Sequence, residues 1–171
     1  MLKYNDFISK GDHNKATHLD NNWILKSPLK VGEGENQPGT MKEILSEFEE
    51  HIKTMKMYPE LFPKVKKLDR YRAAIEKVNV RKAKIELKHV YGILCKNSSI
   101  LCDYGDFIEY IVYYDKRYLE ILKEHDDTCK KWYIFLKLLI KSDLFYTEEF
   151  IDLHEGNFGI DKQGNIKLID F

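Results

Sequence analysis

The chain has 171 residues and a mass of 20.4 kDa, which is the size of one domain or of two small lobes. Its 28 basic and 28 acidic residues cancel, and this balance excludes a general nucleic-acid-binding protein, which needs a basic excess to displace counterions. Hydrophobic residues make up 43% of the chain, which is typical of a folded protein.

Cysteine use and hydropathy indicate a reduced, cytoplasmic protein. The three cysteines form no C-x-x-C motif and do not suggest a disulfide scaffold. No signal peptide is visible at the N-terminus, and no apolar run approaches the roughly 20 residues that a membrane span needs. The six histidines show no H-x-x-x-H pairing, so the sequence predicts no zinc site.

Five short strands and one helix are predicted in the first part of the chain. Thr40 and Glu43 have the spacing of a capping box, and apolar residues then recur at helical spacing until about Tyr58. The predicted strands are Tyr4–Ser9, Ala16–Leu19, Trp23–Lys26, Lys64–Leu68 and Tyr71–Val78.

From about Val80 the apolar pattern becomes helical. Three helices are predicted, over residues 80–95, 104–124 and 128–145. The third is apolar nearly all round, so we expect it to be the buried central helix of this half.

A hairpin is predicted at the end of the chain. Residues 158–160 and 166–169 read as two short strands that flank a polar turn. Strands with one helix, then helices, then a hairpin predict the α+β class, with a first lobe over residues 1–78 and a second over 79–171.

The most specific motif is Asp152-Leu-His-Glu-Gly-Asn157, followed by Ile169-Asp170-Phe171 after the hairpin. A loop from Asp152 to Asn157 can present a general base and an oxygen ligand to one site, and the hairpin can return Asp170 as a charged ligand. Mg²⁺ prefers such hard oxygen donors and needs few of them when phosphates supply the rest. The alternative is that the six-residue pattern is accidental and that Asp152 only caps a turn.

On these motifs the chain resembles the protein-kinase-like superfamily, and it looks closest to minimal bacterial and phage branches related to aminoglycoside and choline kinases. His154 stands where eukaryotic protein kinases usually carry a lysine. The resemblance implies an ATP- and Mg²⁺-dependent phosphotransferase in which Asp152 is the base and Asn157 and Asp170 hold the metal. It further implies a small sheet-containing N-lobe and a mainly helical C-lobe.

The resemblance also implies a lysine that binds the phosphates and an acidic residue that holds this lysine. Lys26 ends the third predicted strand and fits the first role, although a surface lysine at a strand end is the more common case. Glu47 borders the apolar stripe of the predicted helix and is our choice for the second role. Glu43 and Glu50 can substitute for it.

Two further nucleotide contacts are expected at weaker motifs. Gly11 opens a polar turn whose backbone N–H groups can face a phosphate, but the turn has one glycine where kinases have three, and an ordinary hairpin turn is equally consistent. Glu76 and Val78 lie where the lobes join and can bind adenine through their backbone, or they are an ordinary strand end.

The chain ends at Phe171, before the activation segment and the acceptor-binding helices of kinases. We therefore expect a truncated C-lobe, covered by its own helices, by a protein partner or by a second copy. The acceptor is an unknown hydroxyl group on a small molecule or a protein. The alternative function is a catalytically weak, kinase-like module that binds nucleotide or regulates a partner.

Overall fold

The structure is a computed structural model, and it describes residues 7–10, 14–28, 40–98, 103–142, 144 and 153–169. The chain divides into two compact units, residues 1–77 and residues 78–171.

The first unit contains a five-stranded antiparallel sheet. The strand order is β1-β2-β3-β5-β4, so β3 lies at the centre and pairs with β2 and β5. All four residues of β5 are buried; three of them are apolar, and the fourth is Glu76. The strands are β1 (Phe7–Lys10), β2 (Asn14–His18), β3 (Trp23–Pro28), β4 (Val65–Lys67) and β5 (Ala73–Glu76).

One helix, α1 (Met41–Met57), packs on this sheet. The predicted capping box is present, because the Thr40 hydroxyl accepts a hydrogen bond from the Glu43 N–H while the Glu43 carboxylate accepts one from the Thr40 N–H. The helix ends before Tyr58, as predicted. Its apolar stripe is buried and comprises Ile44, Leu45, Phe48, Ile52 and Met55.

The second unit contains four helices among its described residues, which is one more than predicted. The stretch 104–124 is not continuous, because Asp115 interrupts it. The buried Asp115 carboxylate accepts hydrogen bonds from the Arg117 N–H at 3.1 Å and from its guanidinium at 2.8 and 2.6 Å. Residues 114–117 contain no glycine or proline, so the apolar spacing predicted one continuous helix. The helices are α2 (Val80–Asn97), α3 (Phe107–Tyr113), α4 (Tyr118–Lys123) and α5 (Asp127–Lys141).

The expectation that the third predicted helix is the buried central helix of this half is wrong for one of its faces. One face of α5 packs inward through Trp132, Phe135 and neighbouring apolar residues, whereas Ile134 is 58% exposed and Leu138 is 42% exposed. Both faces of α5 carry apolar side chains, so composition alone did not indicate which face is exposed.

A two-stranded hairpin completes the second unit. Strands β6 (Phe158–Ile160) and β7 (Ile166–Leu168) are antiparallel, and Gly164 adopts a φ of 90° in the turn between them. Phe158 packs edge-to-face on Trp132 of α5 with ring centroids 5.5 Å apart. The predicted α+β class is therefore confirmed. No helix in the described ranges is long and apolar enough to cross a membrane.

Candidate active site

Five of the eight residues predicted for the site lie in the described part of the chain. They are Lys26, Glu47, Glu76, Val78 and Asn157. The other three, Gly11, Asp152 and Asp170, lie outside the described residues.

Lys26 lies on the central strand β3, where it is opposite Ala16 of β2 and Ala73 of β5. Its ammonium nitrogen is 3.0 Å from Nε2 of His51 on α1. Because an ammonium group has no acceptor, the imidazole must accept this hydrogen bond through Nε2 and carry its own proton on Nδ1. The contact holds the Lys26 amine over the α1 side of the sheet.

His51 was not predicted as a site residue. Burial, and then the positive charge of Lys26, hold the pKa of His51 well below its ordinary value of 6.5. The imidazole is therefore neutral near pH 7, so it orients the lysine without changing the charge at this position. His51 follows Glu47 by four residues, and this helical spacing could have indicated that both lie on the side of α1 that faces Lys26.

Helix geometry favours Glu47 over the two other candidates as the acidic partner of Lys26. Residues four apart share a face of a helix, so Glu47 lies on the His51 side of α1, whereas Glu50 precedes His51 by one residue and points elsewhere. The Glu43 carboxylate is engaged with Thr40 in the capping box. The pairing of Glu47 with Lys26 stays a prediction that this placement supports.

The neutral His51 makes stability depend on pH. The unfolded chain takes up a proton on His51 below about pH 6.5, but the folded chain does not, so stability is lost as the pH falls from 6.5 towards the lowered folded pKa. One such group contributes up to about 1.4 kcal/mol per pH unit.

We expect urea midpoints between pH 7.5 and 5 to fall more steeply for the wild type than for His51→Gln. His18→Gln, at an exposed histidine on β2, is the control and should follow the wild type. Identical slopes for wild type and His51→Gln would contradict this account.

The segment predicted to bind adenine offers one backbone donor. The N–H of Glu76 donates to the Lys64 carbonyl at 2.8 Å, and the N–H of Lys77 donates to the Asn22 carbonyl at 2.8 Å. Both groups are therefore used within the first unit. Among the described residues, none accepts a hydrogen bond from the N–H of Val78.

Val78 packs against the terminal hairpin within the second unit. The next residue, Asn79, exchanges backbone hydrogen bonds with Ile160 of β6 at 2.8 and 3.3 Å. A Cβ atom added at Gly159 would lie 2.7 Å from Cβ of Val78, so only glycine fits there. The hairpin and the segment from Val78 to Asn79 therefore form one packed group.

Replacing Gly159 with alanine is expected to destabilise the protein by about 1–3 kcal/mol, because the added methyl group must push Val78 aside. Urea unfolding would measure the loss. Gly105→Ala is the matched control, since a Cβ at position 105 meets no described atom within 4 Å. An unchanged midpoint for Gly159→Ala would show that the contact with Val78 is not tight.

Asn157 lies at the end of the loop that leads into the hairpin. It is buried and closes a short 3₁₀ turn, Glu155–Asn157, in which its N–H donates to the His154 carbonyl at 3.0 Å. The Asn157 carbonyl accepts a hydrogen bond from the N–H of Ile169 at 2.8 Å. This bond joins the loop to the far end of the hairpin.

Two side chains fix the shape of this loop. The His154 ring accepts a hydrogen bond from the Gly156 N–H through Nδ1 at 2.9 Å and so caps the turn. The Glu155 carboxylate lies 3.3 Å from the Lys84 amine on α2. The loop that presents Asn157 is therefore anchored to the helical part of the second unit.

Similarity to known proteins is found among solved structures. No protein-family model matches the chain, and no curated protein matches it. Among solved structures, the chain is similar to the ADP-bound aminoglycoside phosphotransferase APH(2'')-Ib, with 12% sequence identity and a TM-score of 0.41. The match covers 99% of this chain and 66% of the length of that chain.

Proposed function

We propose that this protein is an ATP- and Mg²⁺-dependent phosphotransferase that moves a γ-phosphoryl group to a hydroxyl acceptor. The observation that carries the proposal is the hydrogen bond between Asn157 and Ile169, which ties the two halves of the terminal motif together. The order of elements, a five-stranded antiparallel sheet with one helix followed by helices and a hairpin, is also the order that the resemblance to kinases implies.

The metal ligands in this proposal are Asn157 and Asp170. Asp170 directly follows Ile169 in the sequence, and the N–H of Ile169 donates a hydrogen bond to the Asn157 carbonyl. An amide oxygen and a carboxylate are the hard donors that Mg²⁺ prefers. When bound, Mg²⁺ would neutralise charge on the phosphates.

Lys26 binds the phosphates in this proposal. A phosphate-binding residue must present a cation in a fixed position, and the contact with His51 positions the Lys26 amine. Because His51 is neutral, it does not add a second positive charge. Glu47, on the same face of α1, would complete the support of the lysine.

Adenine would be held by the segment from Glu76 to Val78. The Val78 N–H is the donor of this segment that no described residue uses, and adenine offers ring-nitrogen acceptors to such a group. Gly11 would add backbone N–H groups at the phosphates. The packing of Val78 on Gly159 would link the adenine end of the site to the hairpin that carries the metal ligands.

Asp152 is the proposed catalytic base. It precedes Leu153 in the sequence, and Leu153 is completely buried. Its role would be to accept the proton of the attacking hydroxyl while the other residues hold the phosphates. The acceptor would be a small molecule or a protein.

One sequence feature favours the second function, a weakly catalytic module that binds nucleotide or regulates a partner. The turn at Gly11 has one glycine, whereas phosphate-covering loops of kinases are glycine-rich. A loop with fewer glycines approaches a triphosphate less closely and would hold it less firmly for transfer.

The proposed function is tested by incubating the purified protein with γ-labelled ATP and Mg²⁺ and following release or transfer of the label. Label should leave ATP faster than in buffer, and chelation of Mg²⁺ should stop the reaction. Binding of ATP without any release of label would support the regulatory module instead. If the protein neither binds ATP nor releases the label, both functions are overturned.

A further inference from the structure

A group of three metal-ligating side chains lies in the second unit, apart from the residues proposed for nucleotide binding. His89 comes from α2, Asp126 is the N-cap residue of α5, and Cys129 lies in the first turn of α5. One ligand atom from each of these side chains lies within 4.8 Å of the two others. The group combines an imidazole nitrogen, a carboxylate oxygen and a thiol sulfur.

We propose that His89, Asp126 and Cys129 form a binding site for a transition-metal ion, with Zn²⁺ as the ion that best fits these donors. Zinc accepts nitrogen, oxygen and sulfur ligands together, whereas Mg²⁺ and Ca²⁺ bind oxygen. The site would join α2 to the N-terminal end of α5.

The distances require a small movement. Ligand distances of about 2.0–2.3 Å place neighbouring ligand atoms of a tetrahedral zinc ion roughly 3.3–3.7 Å apart. Nε2 of His89 is 2.5 Å from Oδ2 of Asp126, so these two atoms would separate by about 1 Å on binding. Both side chains are half-exposed and can rotate, while the Asp126 carboxylate stays anchored through Oδ1 to the Cys129 N–H at 3.0 Å.

A tetrahedral zinc ion needs a fourth ligand beside His89, Asp126 and Cys129. Nδ1 of His125 lies 3.8 Å from Oδ2 of Asp126, so a rotation of this partly exposed side chain can supply a fourth ligand. Otherwise a water molecule takes the position, as in zinc sites with three protein ligands.

Binding would release a proton from the buried thiol. An ordinary thiol is mostly protonated near pH 7. The metal would form a bond to the thiolate sulfur, and the proton would pass to the buffer. No electron changes hands, so no oxidant or reductant is required.

Cobalt(II) is the probe that tests the site, because a thiolate bound to Co²⁺ gives a charge-transfer band in the near-ultraviolet. The full-length, reduced and chelator-treated protein should bind one equivalent of Co²⁺ with this band, and Zn²⁺ should remove it. His89→Ala should weaken Co²⁺ binding at least tenfold, and Cys129→Ser should abolish the band.

Cys95→Ser is the matched control, because Cys95 is exposed on α2 and should not affect the titration. His89 is half-exposed, so His89→Ala is expected to fold even if Cys129→Ser does not. Absence of the band in the wild type, an unchanged affinity in His89→Ala, or loss of the band in Cys95→Ser would overturn the proposal. The assay contains no nucleotide, so its result is independent of the proposed phosphotransferase.

Discussion

Asp170→Asn should remove most of the stabilisation of the protein by ATP and Mg²⁺. In the wild type, ATP at one hundred times its dissociation constant should add about 2.7 kcal/mol of stability. For a chain of this size, this gain corresponds to a rise in melting temperature of roughly 5–10 °C. Because Asp170 is the only charged protein ligand proposed for Mg²⁺, its amide variant should lose most of that rise. Thermal unfolding with ATP, with and without Mg²⁺, measures the effect.

Asp103→Asn is the matched control for this experiment. Asp103 is an exposed aspartate outside the proposed site, so its variant should show the wild-type rise. If Asp170→Asn shows the full rise in melting temperature, Asp170 does not hold the metal. The proposal that the terminal motif binds Mg²⁺ would then be contradicted.

Asp152→Ala should lower the rate of phosphoryl transfer by about 10²–10⁴-fold, which is the usual contribution of a general base. The rise in melting temperature with ATP and Mg²⁺ should remain, because Asp152 is not proposed to hold the nucleotide. The combination of lost transfer and retained binding is specific to a catalytic role. The measurement is loss of label from γ-labelled ATP, made beside thermal unfolding of the same variant.

Asp103→Asn again serves as the control and should keep the wild-type rate. Unchanged transfer in Asp152→Ala would remove this residue from the mechanism. If the wild type itself shows no transfer but does bind ATP, the regulatory module becomes the better description.

The order of the elements was predictable from the sequence because the local signals are strong. The capping box of Thr40 and Glu43 predicted the start of α1 and is confirmed. Short runs between polar turns predicted the strands, and Gly164 with its polar neighbours predicted the hairpin turn, where the observed φ of 90° favours glycine.

Features that depend on single side chains were missed. The break between α3 and α4 contains Asp115, which is bonded to Arg117, and the segment has no proline or glycine that would predict a break. The exposed face of α5 carries Ile134 and Leu138, so composition alone predicted burial on all sides. In both cases tertiary context decides the outcome.

Sequence motifs name candidate site residues, but they do not indicate which distant side chains contact one another. Asn157 belongs to a six-residue motif, whereas His51 is 25 residues from Lys26 and meets it only through the packing of α1 on the sheet. The group formed by His89, Asp126 and Cys129 is a further example. His89 and Asp126 are 37 residues apart, so a search for closely spaced histidines and cysteines does not identify them as one site.

The central claim is that Lys26, Asn157 and Asp170 gather around one triphosphate and its metal ion. A crystal structure of the protein with a non-hydrolysable ATP analogue and Mg²⁺ tests it most directly. We predict the Lys26 amine on the phosphates, with oxygens of Asn157 and Asp170 about 2.0–2.1 Å from Mg²⁺. An analogue bound elsewhere, or a lysine that lies far from the metal and its two proposed ligands, would contradict the claim.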